Sequence, residues 1–161
     1  MLADRHPATA DQSPSTGDRV PAPVRVLLAD DHPAIRRTLR RRLEGEPDIA
    51  VIGEAGDLET VVESVLDRQP RVLVLDLGML GESGRAAIRD LRRQMPATEI
   101  VVLTMDESPL LARMALDADA VAFVRKELAD ADLPEAVRSA ARGVRYMSPV
   151  VAAQLIAFDG R

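Results

Sequence analysis

Short, continuously apolar runs alternate along this chain with longer stretches in which apolar residues recur every three or four positions. VRVLLA at 24–29, VLVL at 72–75, IVVL at 100–103 and VAFV at 121–124 are the short runs, and IAVIGE at 49–54 is a slightly more polar one. Runs of this length and continuity predict strands buried on both faces of a parallel sheet. The stretches between them predict helices. Pro33 fits a first helical position, Ile35, Leu39 and Leu43 form a stripe, and Gly45 stops the helix. Asp57 is an N-cap for a helix with Leu58, Val61, Val62, Val65 and Leu66 on one face. A loop through Gly78, Gly81 and Ser83 leads to a helix over about 85–94, and Ser108-Pro109 opens the next. Asp132, Pro134 and Glu135 open another, with Asp132 and Glu135 at capping-box spacing, and Gly143 closes it. Ser148-Pro149 starts one further helix, with Val150, Val151, Leu155 and Ile156; no strand follows it, and it reads as a linker.

A β-α unit repeated five times implies an α/β fold, a doubly wound parallel sheet with right-handed crossovers. Ligands of such sheets bind just beyond the carboxyl ends of the strands. The polar residues that end the runs therefore carry the chemistry. The first strand runs into Asp30 and Asp31, the third into Asp76, the fourth into Thr104, and the fifth passes Arg125 to reach Lys126.

Composition narrows the chemistry. Hydrophobic residues are 47% and aromatics 2%, so the core is built from aliphatic side chains. The absence of cysteine excludes disulfides, thiol catalysis and Cys-ligated zinc. His6 and His32 are the two histidines, which excludes a multi-histidine metal site. A net charge of -5 argues against nucleic-acid binding by bulk electrostatics. Arg36, Arg37, Arg40, Arg41 and Arg42 fall mostly opposite the stripe of their helix and read as a solvated face. No segment is apolar for long enough to span a bilayer or act as a signal peptide, so no membrane role and a cytoplasmic location are expected. Residues 1–23 are rich in Ala, Pro, Ser, Thr and Asp and read as a disordered tail.

Taken singly, an aspartate here is a helix N-terminal acid, Thr104 a turn residue and Lys126 a solvated cation. Taken together they differ. Carboxylates about 5 Å apart repel by roughly 3 kcal/mol at an effective dielectric near 20, so the cluster must take up a proton or bind a cation. Its hard oxygen donors suit Mg²⁺ or Mn²⁺. A hydroxyl and an ammonium beside such a cation suit a phosphoryl group.

These residues resemble the receiver domains of bacterial two-component response regulators. The DDHP run at 30–33, RRLEGEPDIAVIGEAGD and ARGVRYMSP are similar to the NarL/FixJ (LuxR-type output) branch, and the resemblance covers about 23–156. It implies a flavodoxin-like (βα)5 sheet of order 2-1-3-4-5. The receiver would span 24–143, and 144–161 would be a linker helix toward a helix-turn-helix output domain missing from this chain, so that DNA would be bound only through that domain. By the resemblance, Asp76 is the phosphoacceptor for a histidine kinase. Asp31, Asp76 and the backbone carbonyl of Gly78 hold Mg²⁺ directly, and Asp30 holds it through water. Lys126 pairs with the phosphoryl group, Thr104 swings to hydrogen-bond it, and Phe123 turns inward behind Thr104. A homodimer on phosphorylation is implied. No enzyme activity is expected beyond Mg²⁺-dependent self-phosphorylation and autodephosphorylation.

Some positions depart from the pattern. Leu80 replaces a usual Pro, which predicts a looser loop after Asp76. Met105 replaces a small residue and narrows the approach to Asp76. Asp119 and Ala122 replace two glycines, and Glu127 rather than Pro follows Lys126. Two alternatives stand beside the receiver. One is a degenerate receiver that binds partners without phosphorylation. The other is a haloacid-dehalogenase-type Mg²⁺-dependent phosphatase, which would usually place a second Asp where Gly78 stands.

Overall fold

The computed structural model describes residues 20–161. The tail expected over 1–23 thus lies outside the described residues up to position 19, and 20–23 are exposed and without regular structure. The five apolar runs form parallel strands β1 (Val24–Ala29), β2 (Ile49–Ala55), β3 (Val72–Asp76), β4 (Glu99–Thr104) and β5 (Ala122–Arg125). They are ordered β2-β1-β3-β4-β5, as expected. Helices α1 (Pro33–Glu44), α2 (Leu58–Arg68), α3 (Gly84–Gln94), α4 (Pro109–Asp117) and α5 (Ala129–Ala141) connect and follow them.

Alternate strand residues explain why the runs are apolar throughout. Leu27, Ala29, Leu73, Leu75, Val102 and Phe123 pack against α2, α3 and α4. Val26, Leu28, Val74, Val101, Leu103 and Val124 pack against α1 and α5. Both faces of the sheet are covered, so a polar residue is tolerated only where a strand runs out of the sandwich.

Asp57 caps α2 as expected, accepting the Thr60 N–H at 2.8 Å. The opening of α5 differs from expectation. The helix starts at Ala129, so Asp132 and Pro134 lie inside it. Pro134 has no N–H for the carbonyl of Asp130. Arg42 Nε donates to that carbonyl instead, at 2.6 Å. The segment after β3 is also more ordered than a loop, with 3-10 turns over Leu77–Ser83 and a left-handed Gly81 at φ 61°. Leu80 is buried in the core there, so packing restrains the segment where a proline ring would.

The basic run on α1 is partly structural rather than wholly solvated. Arg36 and Arg40 pair with Glu54, and Arg42 pairs with Glu46, while Arg37 and Arg41 are exposed. Beyond α5 the chain adds a short parallel strand, β6 (Tyr146–Met147), on the outer edge of β5. A C-terminal helix follows as expected, α6 (Pro149–Asp159), with Ser148 Oγ accepting the Val151 N–H at 3.4 Å. It is docked on the body of the fold. Val151 and Leu155 are buried, Val151 within the α2–α3–α4 core, and Asp159 pairs with Arg113 of α4. No helix among the described residues is long and apolar enough to cross a membrane.

Candidate functional site

Because the strands are parallel and in register, their carboxyl ends meet at one rim. Asp30 follows β1, Asp76 ends β3, Thr104 ends β4 and Lys126 follows β5. Lys126 Nζ lies 2.7 Å from Asp30 Oδ2 and 3.2 Å from Asp76 Oδ2. Asp30 is fully buried and Asp76 nearly so. One ammonium thus serves two buried carboxylates, which leaves one negative charge without a partner. Burial pushes the Asp76 carboxyl above its ordinary range, and the Asp30 charge adds to the rise. The Gly78 N–H, 3.1 Å from Asp76 Oδ1, and the Lys126 ammonium pull the other way without cancelling it.

Asp31 is exposed at the mouth of the rim. His32 ties the acidic pair together. Its N–H donates to Asp30 Oδ1 at 2.8 Å, and its Nδ1 lies 2.8 Å from Asp31 Oδ1. Ligating atoms of Asp30, Asp31, His32 and Asp76 all fall within 4.8 Å of one another, so this group can hold a metal ion. A buried Asp30–Asp76 pair short of one positive charge, with an exposed carboxylate beside it, fits a hard divalent cation. The place of His32 in the group was not legible in the sequence, where the two histidines served only to exclude a multi-histidine site.

An open cleft of about 340 Å³ gives access to the rim, with Asp76, Gly78, Thr104, Met105 and Lys126 among its walls. Thr104 Oγ1 accepts the Asp106 N–H at 3.0 Å. Met105 is 71% exposed and stands at the mouth of the cleft. Six of the seven expected site residues therefore gather here: Asp30, Asp31, Asp76, Gly78, Thr104 and Lys126. Phe123 does not line the cleft. It is buried in the core, paired in register with Val102, two residues before Thr104 on the same face of the sheet. A somewhat larger cleft, of about 370 Å³, opens beside Arg25, Leu66 and Met95 at the opposite end of the strands, away from the acids.

The family model described as the response regulator receiver domain matches residues 26–138. The chain belongs to that family. Among its relatives, the receiver is 34% identical over 133 residues to the "Uncharacterized transcriptional regulatory protein YxjL" of Bacillus subtilis (strain 168), covering 83% of this chain and 61% of that protein. It is 33% identical to the nitrate/nitrite response regulator protein NarP of Escherichia coli (strain K12), over 78% of this chain and 59% of that one. Among solved structures it resembles a LuxR-family two-component response regulator from Aurantimonas sp. SI85-9A1 at 31% identity and a TM-score of 0.80, covering 87% of this chain and 100% of that one. The isolated receiver domain of RcsB from Salmonella enterica serovar Typhimurium, solved with a beryllofluoride phosphomimetic, matches at 31% identity and a TM-score of 0.75, over 83% and 99% of the two chains. The receiver is of the NarL/LuxR type, and it spans about three-fifths of the length of the curated relatives it matches.

Proposed function

We propose that this receiver accepts a phosphoryl group on Asp76 from the phosphohistidine of a histidine kinase. The observation that carries the reading is the buried Asp76 carboxylate, held between Lys126 and the Gly78 N–H in an open cleft beside an acidic pair. An Asp76 carboxylate oxygen forms the new P–O bond, the P–N bond to the imidazole breaks, and its electron pair returns to the ring nitrogen. Asp31, Asp76 and the Gly78 carbonyl would hold Mg²⁺ or Mn²⁺, with Asp30 holding it through water. The cation neutralises charge on donor and acceptor when bound.

The remaining steps belong to the chain's own residues. Lys126 moves from the two carboxylates toward the phosphoryl oxygens. Thr104 turns its hydroxyl to them. The added charge of about -1.5 to -2 is the signal. Phe123, expected to turn inward behind Thr104, is already buried, and its register partner Val102 lies two residues before that threonine. The receiver is a switch, with no chemistry on a separate substrate beyond its own phosphorylation and autodephosphorylation. It works in the cytoplasm, dimerises on phosphorylation, and regulates transcription through a DNA-binding segment outside these residues. RcsB, solved as dimers bound to DNA, supports that assignment by likeness.

The test is incubation with acetyl phosphate and Mg²⁺ followed by intact mass measurement. A phosphoryl increment that is absent in Asp76→Ala is expected. No increment would favour a binding module that works without phosphorylation, and steady hydrolysis of phosphate esters would favour a phosphatase.

A further inference from the structure

Arg125 is the buried charged residue that phosphoryl acceptance does not use. It is 7% exposed, on the last position of β5. Its register partner on β4 is Thr104, and it shares the sheet face of Phe123. The guanidinium pairs with Glu107, in the loop between β4 and α4, and with Glu127, in the turn after β5. Its Nε is buried without a hydrogen-bond partner. A guanidinium so placed is already short of partners, so losing a carboxylate is costly. Glu107 is itself largely exposed and would otherwise be free to move.

The loop that Glu107 anchors also holds Thr104. Thr104 Oγ1 accepts the Asp106 N–H at 3.0 Å, and Asp106 Oδ1 accepts the Ser108 N–H at 2.8 Å. The hydroxyl, its loop and Arg125 are thus linked in sequence. When Thr104 rotates about χ1 to carry its hydroxyl to a phosphoryl oxygen, Oγ1 leaves the Asp106 N–H, which loses its acceptor, and the loop must give.

We propose that Arg125 and Glu107 form a latch that holds this loop, and through it Thr104, in the arrangement without a phosphoryl group. The proposal rests on Asp76 being the phosphoacceptor. Arg125 is a positioning residue that acts through Thr104. The latch sets how readily the receiver responds: breaking it lowers the cost of the phosphoryl-bound arrangement while leaving Asp76, Lys126 and the acidic pair in place.

Calorimetric titration of the whole chain with beryllofluoride, in Mg²⁺, tests this. Glu107→Gln is expected to bind at least about fivefold more tightly than the wild type, as expected for loss of a contact made in one state only. Glu127→Gln removes the same charge from the same guanidinium but leaves the loop tied, and its affinity is expected to stay within about twofold. On a Thr104→Ala background the Glu107→Gln gain is expected to vanish, which a merely structural contact would not produce. Wild-type binding with no gain in Glu107→Gln would overturn the latch and leave the phosphoacceptor reading standing. No binding by either protein would overturn both.

Discussion

At the scale of single residues, the rim works because too few positive charges face too many negative ones. Lys126 divides its ammonium between Asp30 and Asp76, and both carboxylates are buried. The raised Asp76 carboxyl means that the folded chain holds that proton more firmly than the unfolded chain does. The stability this group contributes is complete below the ordinary value of 3.8 and is lost as pH rises through the raised one. Asp76→Asn removes the penalty. In metal-free buffer at pH 7 it is expected to melt above the wild type by roughly 2–5 °C, with the gap closing as the pH falls toward 4. Thermal melts across that range check it, and a variant no more stable than the wild type at pH 7 would remove burial as the dominant effect. Asp30, Asp76, Thr104 and Lys126 were legible in the sequence because a polar residue ending an apolar run can go nowhere but the rim. Arg125 was not, because a charged residue after such a run reads as the strand having already left the core. Asp119 was legible as a departure, and its φ of 71° gives the reason a glycine suits that place.

At the scale of elements, the periodic segments gave their helices and the apolar runs their strands, while two boundaries depended on distant partners. The start of α5 is fixed by Arg42 reaching the Asp130 carbonyl that Pro134 leaves open, a pairing between two helices with no local trace. The two residues of β6 are too few to show a pattern. The reading of α6 as a linker follows from its sequence, which is apolar on every side, so that no face is marked for docking. The structure buries Leu155 of α6 and leaves Ile156 75% exposed. Leu155→Ala is expected to lower unfolding stability by roughly 2 kcal/mol, and Ile156→Ala by under about 0.5 kcal/mol. Urea unfolding of the two variants checks whether α6 is part of the receiver's cooperative unit. Equal, small effects would make it an appendage.

At the scale of the whole molecule, a sheet covered on both faces leaves its carboxyl edge as the place where charge can enter and change something. A phosphoryl group there would add negative charge between β3, β4 and β5, beside the 105–108 loop that leads into α4, and α6 is docked on α4. The receiver is expected to exchange weakly between monomer and dimer and to shift toward the dimer with beryllofluoride. Sedimentation velocity with and without the mimic checks this, and a tight dimer in both conditions would contradict it. Phosphoryl acceptance concerns one group of atoms, the Asp76 carboxylate. Its most direct test is to phosphorylate the chain with acetyl phosphate and Mg²⁺, trap the acyl phosphate with borohydride, and digest with trypsin. Reduction is expected in the fragment over 72–85, at Asp76 and not at Glu82; reduction at any other carboxylate, or none at all, would contradict the account.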